Sequence, residues 1–247
     1  MAIFLNTLIF VDRVKRGEKQ LDLLRDIKRA GADGVEVRYE YFKDFDSEAP
    51  LLKEKAKKLN LQVSLSIPDE LFEENGEPNE KLPEYYRQSL LVGSKRVKLN
   101  TGNFSAFSGD LKEVFTNIPE NLQVDVENDQ TELSGHVENI LPFLKSARLA
   151  GLNIGYVYDL GNWAYTKGNA IDNAKKLTPY TEYIHFKNVK EKDDKLVTTE
   201  DLNDGRFDWK KIADILPKDV DRAIEFPIDS NEKIVSQVKV LKGKLSK

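Results

Sequence analysis

Short runs rich in β-branched and aromatic residues recur along the chain, and each is followed by a stretch with apolar residues three and four positions apart. The strand-like runs are 3–9 (IFLNTLI), 34–38 (GVEVR), 61–67 (LQVSLSI), 95–100 (KRVKLN), 122–127 (LQVDVE), 153–159 (NIGYVYD), 182–187 (EYIHFK) and 222–226 (RAIEF). Helical stripes follow: Leu21, Leu24 and Ile27 in 18–30; Val137, Ile140, Leu141, Leu144 and Leu149 in 132–149; Ile234, Val238 and Leu241 in 231–245. Ser47 with Pro50 suits a helix start, and AGADG and LAGLN suit helix stops. Strands alternating with helices demand a parallel sheet. Eight such units in 247 residues predict a single (β/α)8 TIM barrel over 1–247, with an open doubly wound sheet as the alternative. No G-x-G-x-x-G follows the first strand, so the usual dinucleotide signature is missing.

Alternation along each strand divides its side chains between the helix layer and the barrel interior. With Val35, Val37, Val97, Leu99, Ile184 and Phe186 facing the helices, the inward set is polar. It comprises Glu36 and Arg38, Ser64 and Ser66, Lys98 and Asn100, Asp125 and Glu127, Asp159, then Tyr183, His185 and Lys187, and finally Ala223 and Glu225. Strands buried on both faces are normally apolar throughout. Buried charge must pair, bind a metal or line a wet site. Most of these residues fall near the C-terminal ends of their strands, where barrel active sites are built.

Composition narrows the functions available. Forty-two acidic against thirty-eight basic residues give a net charge of −4, which offers no attraction to nucleic acid or to an anionic membrane. There is no cysteine, hence no disulfide or thiolate metal site, as suits a reducing cytoplasm. The opening MAIFLNTLIF lacks a basic flank and a small-residue cleavage site and reads as a first core strand rather than a signal peptide. No apolar run approaches the roughly 20 residues needed to span a bilayer.

Four inward residues make a coherent chemical set. Glu127, Asp159, His185 and Glu225 end consecutive strands, five to eight, and so share one arc of the mouth. Three carboxylates and an imidazole suit one divalent cation, Mn²⁺, Mg²⁺ or Co²⁺, with Zn²⁺ also able to bind. His185 is one of only two histidines. The other, His136, falls in the predicted helix 132–149 without such company and reads as a surface residue. Lys98 has two readings, binding a substrate carboxylate or phosphate, or pairing with Asp125 or Glu36. Arg38 most simply pairs with Glu36. Lys187, one inward position beyond His185, is placed to contact substrate oxygens or to lie on the solvated rim. Trp163 and Phe104 follow strand ends and suit either an apolar wall against a bound ring or simple packing. Arg206 lies on a loop with a surface role as its default.

At AGADGVEVR, VDVEND, GYVYDLGNW, YIHFKNVK, DGRFDWKKIADIL and AIEFPID the chain resembles the xylose-isomerase-like barrel superfamily, which includes sugar isomerases and epimerases of the tagatose-epimerase type. The resemblance runs through nearly the whole chain. It implies that Glu127, Asp159, His185 and Glu225 hold the metal. It also implies that Glu127 and Glu225 act as the acid/base pair on either side of the reacting carbon, and that Glu36 contacts substrate. Two positions depart from the pattern: Asn162 stands where many relatives have a histidine, and Asn188 where they often have aspartate. Two histidines cannot build the three-zinc site of the endonuclease branch. The expectation is a metal-dependent sugar or sugar-phosphate isomerase or epimerase with a small carbohydrate substrate. The alternatives are an inosose-type polyol-ketone dehydratase on the same site, or a carbohydrate-binding barrel without turnover. A homo-oligomer is compatible with the sequence, which does not specify one.

Overall fold

The structure, a computed structural model, describes residues 1–245. In chain order its elements are β1 (Ile3–Asn6), α1 (Val11–Lys15), α2 (Gln20–Arg29), β2 (Gly34–Arg38), α3 (Phe45–Lys58), β3 (Gln62–Phe72), α4 (Leu82–Val92), β4 (Arg96–Gly102), α5 (Leu111–Val114), β5 (Gln123–Glu127), α6 (Val137–Leu149), β6 (Ile154–Asp159), α7 (Ala170–Leu177), β7 (Thr181–Phe186), β8 (Val189–Lys192), β9 (Lys195–Thr198), α8 (Trp209–Ile215), β10 (Asp221–Ile224) and α9 (Asn231–Leu245). Eight parallel strands close in the order β1-β10-β7-β6-β5-β4-β3-β2, the (β/α)8 architecture expected, and the open-sheet alternative is excluded. No helix among the described residues is long and apolar enough to cross a membrane.

Several element ends differ from expectation, each for a local reason. β1 stops at Asn6, whose side chain accepts a hydrogen bond from the Leu8 amide and turns the chain into a 3-10 turn over Thr7–Phe10. β3 runs five residues past Ile67 through an irregularity between Ser66 and Glu70, and its far end pairs with β4. Proline and two acids in IPDELF masked that extension. The helix expected from 132 begins at Val137, because Asp129, Thr131 and Ser134 tie the preceding residues into a loop. His136 is therefore the residue before α6, with Nε2 3.3 Å from Glu132. α3 starts at Phe45, ahead of Ser47, with Asp44 as its cap. The β8–β9 hairpin turns on Asp193 and Asp194, both at positive φ (51° and 58°), a conformation aspartate tolerates better than most side chains.

The helix-facing strand residues and the inner helix faces form one apolar cluster that includes Val35, Val97, Val126, Phe186, Ile27 and Leu144. In α6 the stripe is carried by Val137, Ile140, Phe143, Leu144 and Ala147, whereas Leu149, expected to join it, is exposed. Inside the barrel, the N-terminal end is closed by a second cluster of Ala2, Phe4, Val157, Tyr183 and Ala223. The Arg96 guanidinium lies 4.6 Å from the Tyr183 ring centre and 2.7 Å from Asp125, so the charges there are paired. Phe4 sits beside Gly34, where an added Cβ would fall 2.3 Å from the phenyl ring. Glycine at 34 is thus what lets Phe4 plug the floor.

This contact makes a stability prediction. Gly34→Val should destabilise the protein by about 1–3 kcal/mol through overpacking. Adding Phe4→Leu should return part of that loss, as a positive coupling in a double-mutant cycle followed by urea unfolding.

Candidate metal centre

β5 and β6 end on Glu127 and Asp159, His185 is the penultimate residue of β7, and Glu225 directly follows β10. Register sets them at one depth. Asp159 and Ala223 are the β-ladder partners of His185 on its two sides, and the Glu225 amide donates to the Phe186 carbonyl at 3.2 Å. All four side chains are buried, and each offers one ligand atom within 4.8 Å of those of the other three.

The imidazole is held from below. Its Nε2 lies 3.1 Å from the Glu36 carboxylate, which is itself fully buried and accepts a hydrogen bond from Asn6 Nδ2 at 2.5 Å. Nε2–H donating to Glu36 turns Nδ1 toward the other carboxylates, the device by which metal-bound histidines are oriented. Nδ1 is 2.6 Å from Glu127 Oε1 and 3.2 Å from Glu225 Oε2. His185 Nδ1, Glu127 Oε1 and Asp159 Oδ2 are buried and meet only ionic partners, His185 with Glu127 and Asp159 with Lys187. Carboxylate oxygens and an imidazole nitrogen converging in this way are a donor set that could hold a divalent ion.

Each carboxylate ligand also carries a cation. Lys98 Nζ is 2.5 Å from Glu127 Oε2, Lys187 Nζ is 2.8 Å from Asp159 Oδ2, and Arg38 Nη1 is 2.9 Å from Glu225 Oε1. Arg38 Nε is further paired with Glu40 at 2.6 Å. Five carboxylates (Glu36, Glu40, Glu127, Asp159, Glu225) thus face three cations and the His185 imidazole. Protons or a divalent ion would offset the excess of negative charge.

Proton affinities follow from these contacts. Burial pushes the Asp159 carboxyl up, and Lys187 only partly opposes it, leaving it at about 7. Burial acts on Glu225 in the same direction but is outweighed by His185, Lys187 and Arg38, so this carboxyl lies well below its usual range. Glu127 is lowered because Lys98 and His185 outweigh burial. Burial disfavours the His185 imidazolium, but Glu36, Glu127 and Glu225 raise it well above the ordinary histidine value. Without an ion, proton binding is therefore favoured at His185, and Asp159 takes up a proton as pH falls through about 7.

The expected residues come together with altered partners. Lys98 pairs with Glu127, not with Asp125 or Glu36; Asp125 belongs to Arg96. Arg38 pairs with Glu225 and Glu40 rather than Glu36. Lys187 is buried against Asp159, not on a solvated rim. Glu36 lies beneath His185, away from the surface a substrate would reach. Trp163 forms no wall of the site: its indole is fully buried against Tyr158. Phe104 is packed on Phe72 and Phe143, and Arg206 is exposed beside Glu191. Asn162 holds Asp159 from behind, its amide donating to Oδ1 at 2.8 Å while its side chain bonds to Asn128 and Gln130. Asn188 clamps the following loop through Val189, Leu202 and Phe207.

Two contributors escaped the sequence reading. Asn6 bridges Glu36 and Glu225, donating to the latter at 3.0 Å; its inward parity with Phe4 was the available signal. Asn128 binds the Asp159 amide and carbonyl and accepts from the Tyr156 hydroxyl, and it lies past the end of β5, where alternation no longer applies.

No protein-family profile matches the sequence, and no curated protein matches it. Solved structures do. D-allulose 3-epimerase from Methylomonas sp. in complex with D-allulose superposes with a TM-score of 0.71 at 13% identity, over 99% of this chain and 97% of that one. The IolI protein with a binding zinc atom gives 0.70 at 14% identity, over 99% and 98%. The probable 3-DHS dehydratase AsbF of Bacillus anthracis gives 0.67 at 16% identity, over 98% and 99%. The chain shares the (β/α)8 barrel fold of these proteins.

A cation must displace the protons on Asp159 and His185, so metal affinity should rise with pH through about 7 for Asp159. The sign for stability is opposite in the metal-free protein. Both groups have raised folded values, so their stabilising contribution is present at low pH and fades as pH rises through those values. Calorimetry of Mn²⁺ binding at pH 6 and 8, in buffers of different ionisation enthalpy, should show tighter binding at pH 8 and proton release at pH 6.

Proposed function

We propose that this protein is a divalent-metal-dependent sugar isomerase or epimerase. The observation that carries this reading is the convergence of four buried potential ligand atoms, from Glu127, Asp159, His185 and Glu225, within 4.8 Å of one another. Glu127, Asp159, His185 and Glu225 would hold the ion, and their oxygen-rich donor set fits Mn²⁺, Mg²⁺ or Co²⁺, with Zn²⁺ also accommodated. The similarity in fold to sugar epimerases and to a zinc-containing relative supports the same class.

When bound, the ion would polarise the carbonyl and neighbouring hydroxyl oxygens of a substrate. The chain supplies the proton transfers. Glu127 and Glu225 stand at the two ends of the arc formed by β5, β6, β7 and β10, and their surroundings lower the proton affinity of both. One, ionised, would accept the proton from the carbon beside the carbonyl. The other, having first taken up a proton from solvent, would deliver it to the opposite face, and solvent exchange would then restore both. Lys98 on Glu127 Oε2 and Arg38 on Glu225 Oε1 leave the other oxygen of each turned toward His185 and the centre. Asp159 and His185 are held by Asn128, Asn162 and Glu36 and serve as ligands only.

A second reading keeps the first step. Loss of a hydroxyl from the carbon next to the one deprotonated would make the protein a dehydratase, and the similarity in fold to a probable 3-DHS dehydratase favours keeping it in view.

The test is incubation of Mn²⁺-loaded protein with ketoses and cyclic polyol ketones in deuterated water, followed by NMR. Deuterium at the carbon beside the carbonyl with all hydroxyls retained supports the isomerase or epimerase. A dehydrated product absorbing in the ultraviolet supports the dehydratase. Stoichiometric metal without exchange on any of these compounds would leave a carbohydrate-binding barrel. Glu127→Gln and Glu225→Gln should each lower the exchange rate by about 10²–10⁴.

A further inference from the structure

We infer that Lys98, Lys187 and Arg38 are built-in counter-ions of the ligand set: they hold Glu127, Asp159 and Glu225 in place before an ion arrives, and they lower its affinity. This inference rests on the metal-dependent reading above. Each of the three carboxylates has its own cation, and the cations come from three different strands: Lys98 from within β4, Lys187 from just after β7 and Arg38 from the end of β2. The two ammoniums are almost fully buried, at 4% exposure for Lys98 and 7% for Lys187, so water does not screen them. Without them, three buried carboxylates within ligand distance of one another would repel and drive the site open.

The same cations oppose a divalent ion at close range. An ion bound by Glu127, Asp159, His185 and Glu225 lies one carboxylate away from each of them, in surroundings where charges interact far more strongly than in water. Part of the attraction of the carboxylates is therefore spent before the ion enters. The consequence is a site that is assembled without metal and holds it exchangeably.

The experiment separates this role from simple structural support, because the two predict opposite signs. Mn²⁺ binding at pH 8 would be measured by electron paramagnetic resonance of the free ion for the wild type, Lys98→Met, Lys187→Met and Lys98→Arg. Methionine keeps most of the side-chain volume and removes the charge. Each methionine variant should bind Mn²⁺ about tenfold or more tightly than the wild type. Its thermal midpoint should fall without metal and rise further on Mn²⁺ addition than that of the wild type. Lys98→Arg should bind like the wild type. Equal or weaker binding in the folded methionine variants, with Mn²⁺ binding intact in the wild type, would overturn the inference and leave the metal-dependent reading standing. No binding by any of the proteins would overturn both. If both buried-lysine variants fail to fold, Arg38→Gln at the half-buried edge decides the matter by the same comparison: tighter binding supports the inference and unchanged or weaker binding overturns it.

Discussion

The contact between Glu36 and His185 organises the centre of this protein. Glu36 is fully buried, has Asn6 on one oxygen and accepts from the imidazole Nε2, so it fixes the ring from the side that faces the barrel floor. Everything above depends on which nitrogen is turned upward. With Nδ1 pointing at Glu127 and Glu225, the imidazole offers the nitrogen of a four-residue group that could hold a metal ion. With the ring flipped, the same residues would be an ordinary buried ion-pair cluster. Asn6 then ties this lower layer to the upper one, since its amide also donates to Glu225.

A barrel interior full of charge is costly unless each charge is answered, and here the answers are arranged by height. At the floor, Arg96 and Asp125 pair beside Tyr183, and Phe4, Val157 and Ala223 exclude water. At the mouth, three cations answer most but not all of five carboxylates. Raised proton affinity at His185 and Asp159 offsets part of the remainder. Buried ion pairs are poor sources of net stability, because desolvation offsets their attraction. Their concentration at the C-terminal end of the strands is therefore better explained by chemistry than by folding.

The helix layer and the loops serve this arrangement without joining it. Asn128 and Asn162 fasten Asp159 through its backbone and one carboxylate oxygen, leaving the other oxygen toward the centre. The Asn162 side chain bonds backward to Asn128 and Gln130, so the residue supports the centre and does not enter it. Asn188 acts further out, closing the loop that leads into the β8–β9 hairpin. Trp163 and Tyr158 fill space beneath these turns.

Strand alternation determined the barrel and the inward direction of Glu36, Lys98, Glu127, His185 and Glu225, because a side-chain period of two leaves no freedom once the apolar face is known. The residue types alone then limited the chemistry to oxygen and nitrogen ligands. Pairing was another matter. Lys98 and Arg38 have long, flexible side chains, and each could reach several carboxylates; only the closed register placed Lys98 on Glu127 and Arg38 on Glu225. Elements beyond the regular pattern also waited on the tertiary structure. The extension of β3 past Pro68 exists because β4 offers it a partner. Asn128 matters only because the chain folds it back onto Asp159. Local periodicity is written into the sequence, whereas contacts between distant side chains are selected by the geometry that brings the strands together.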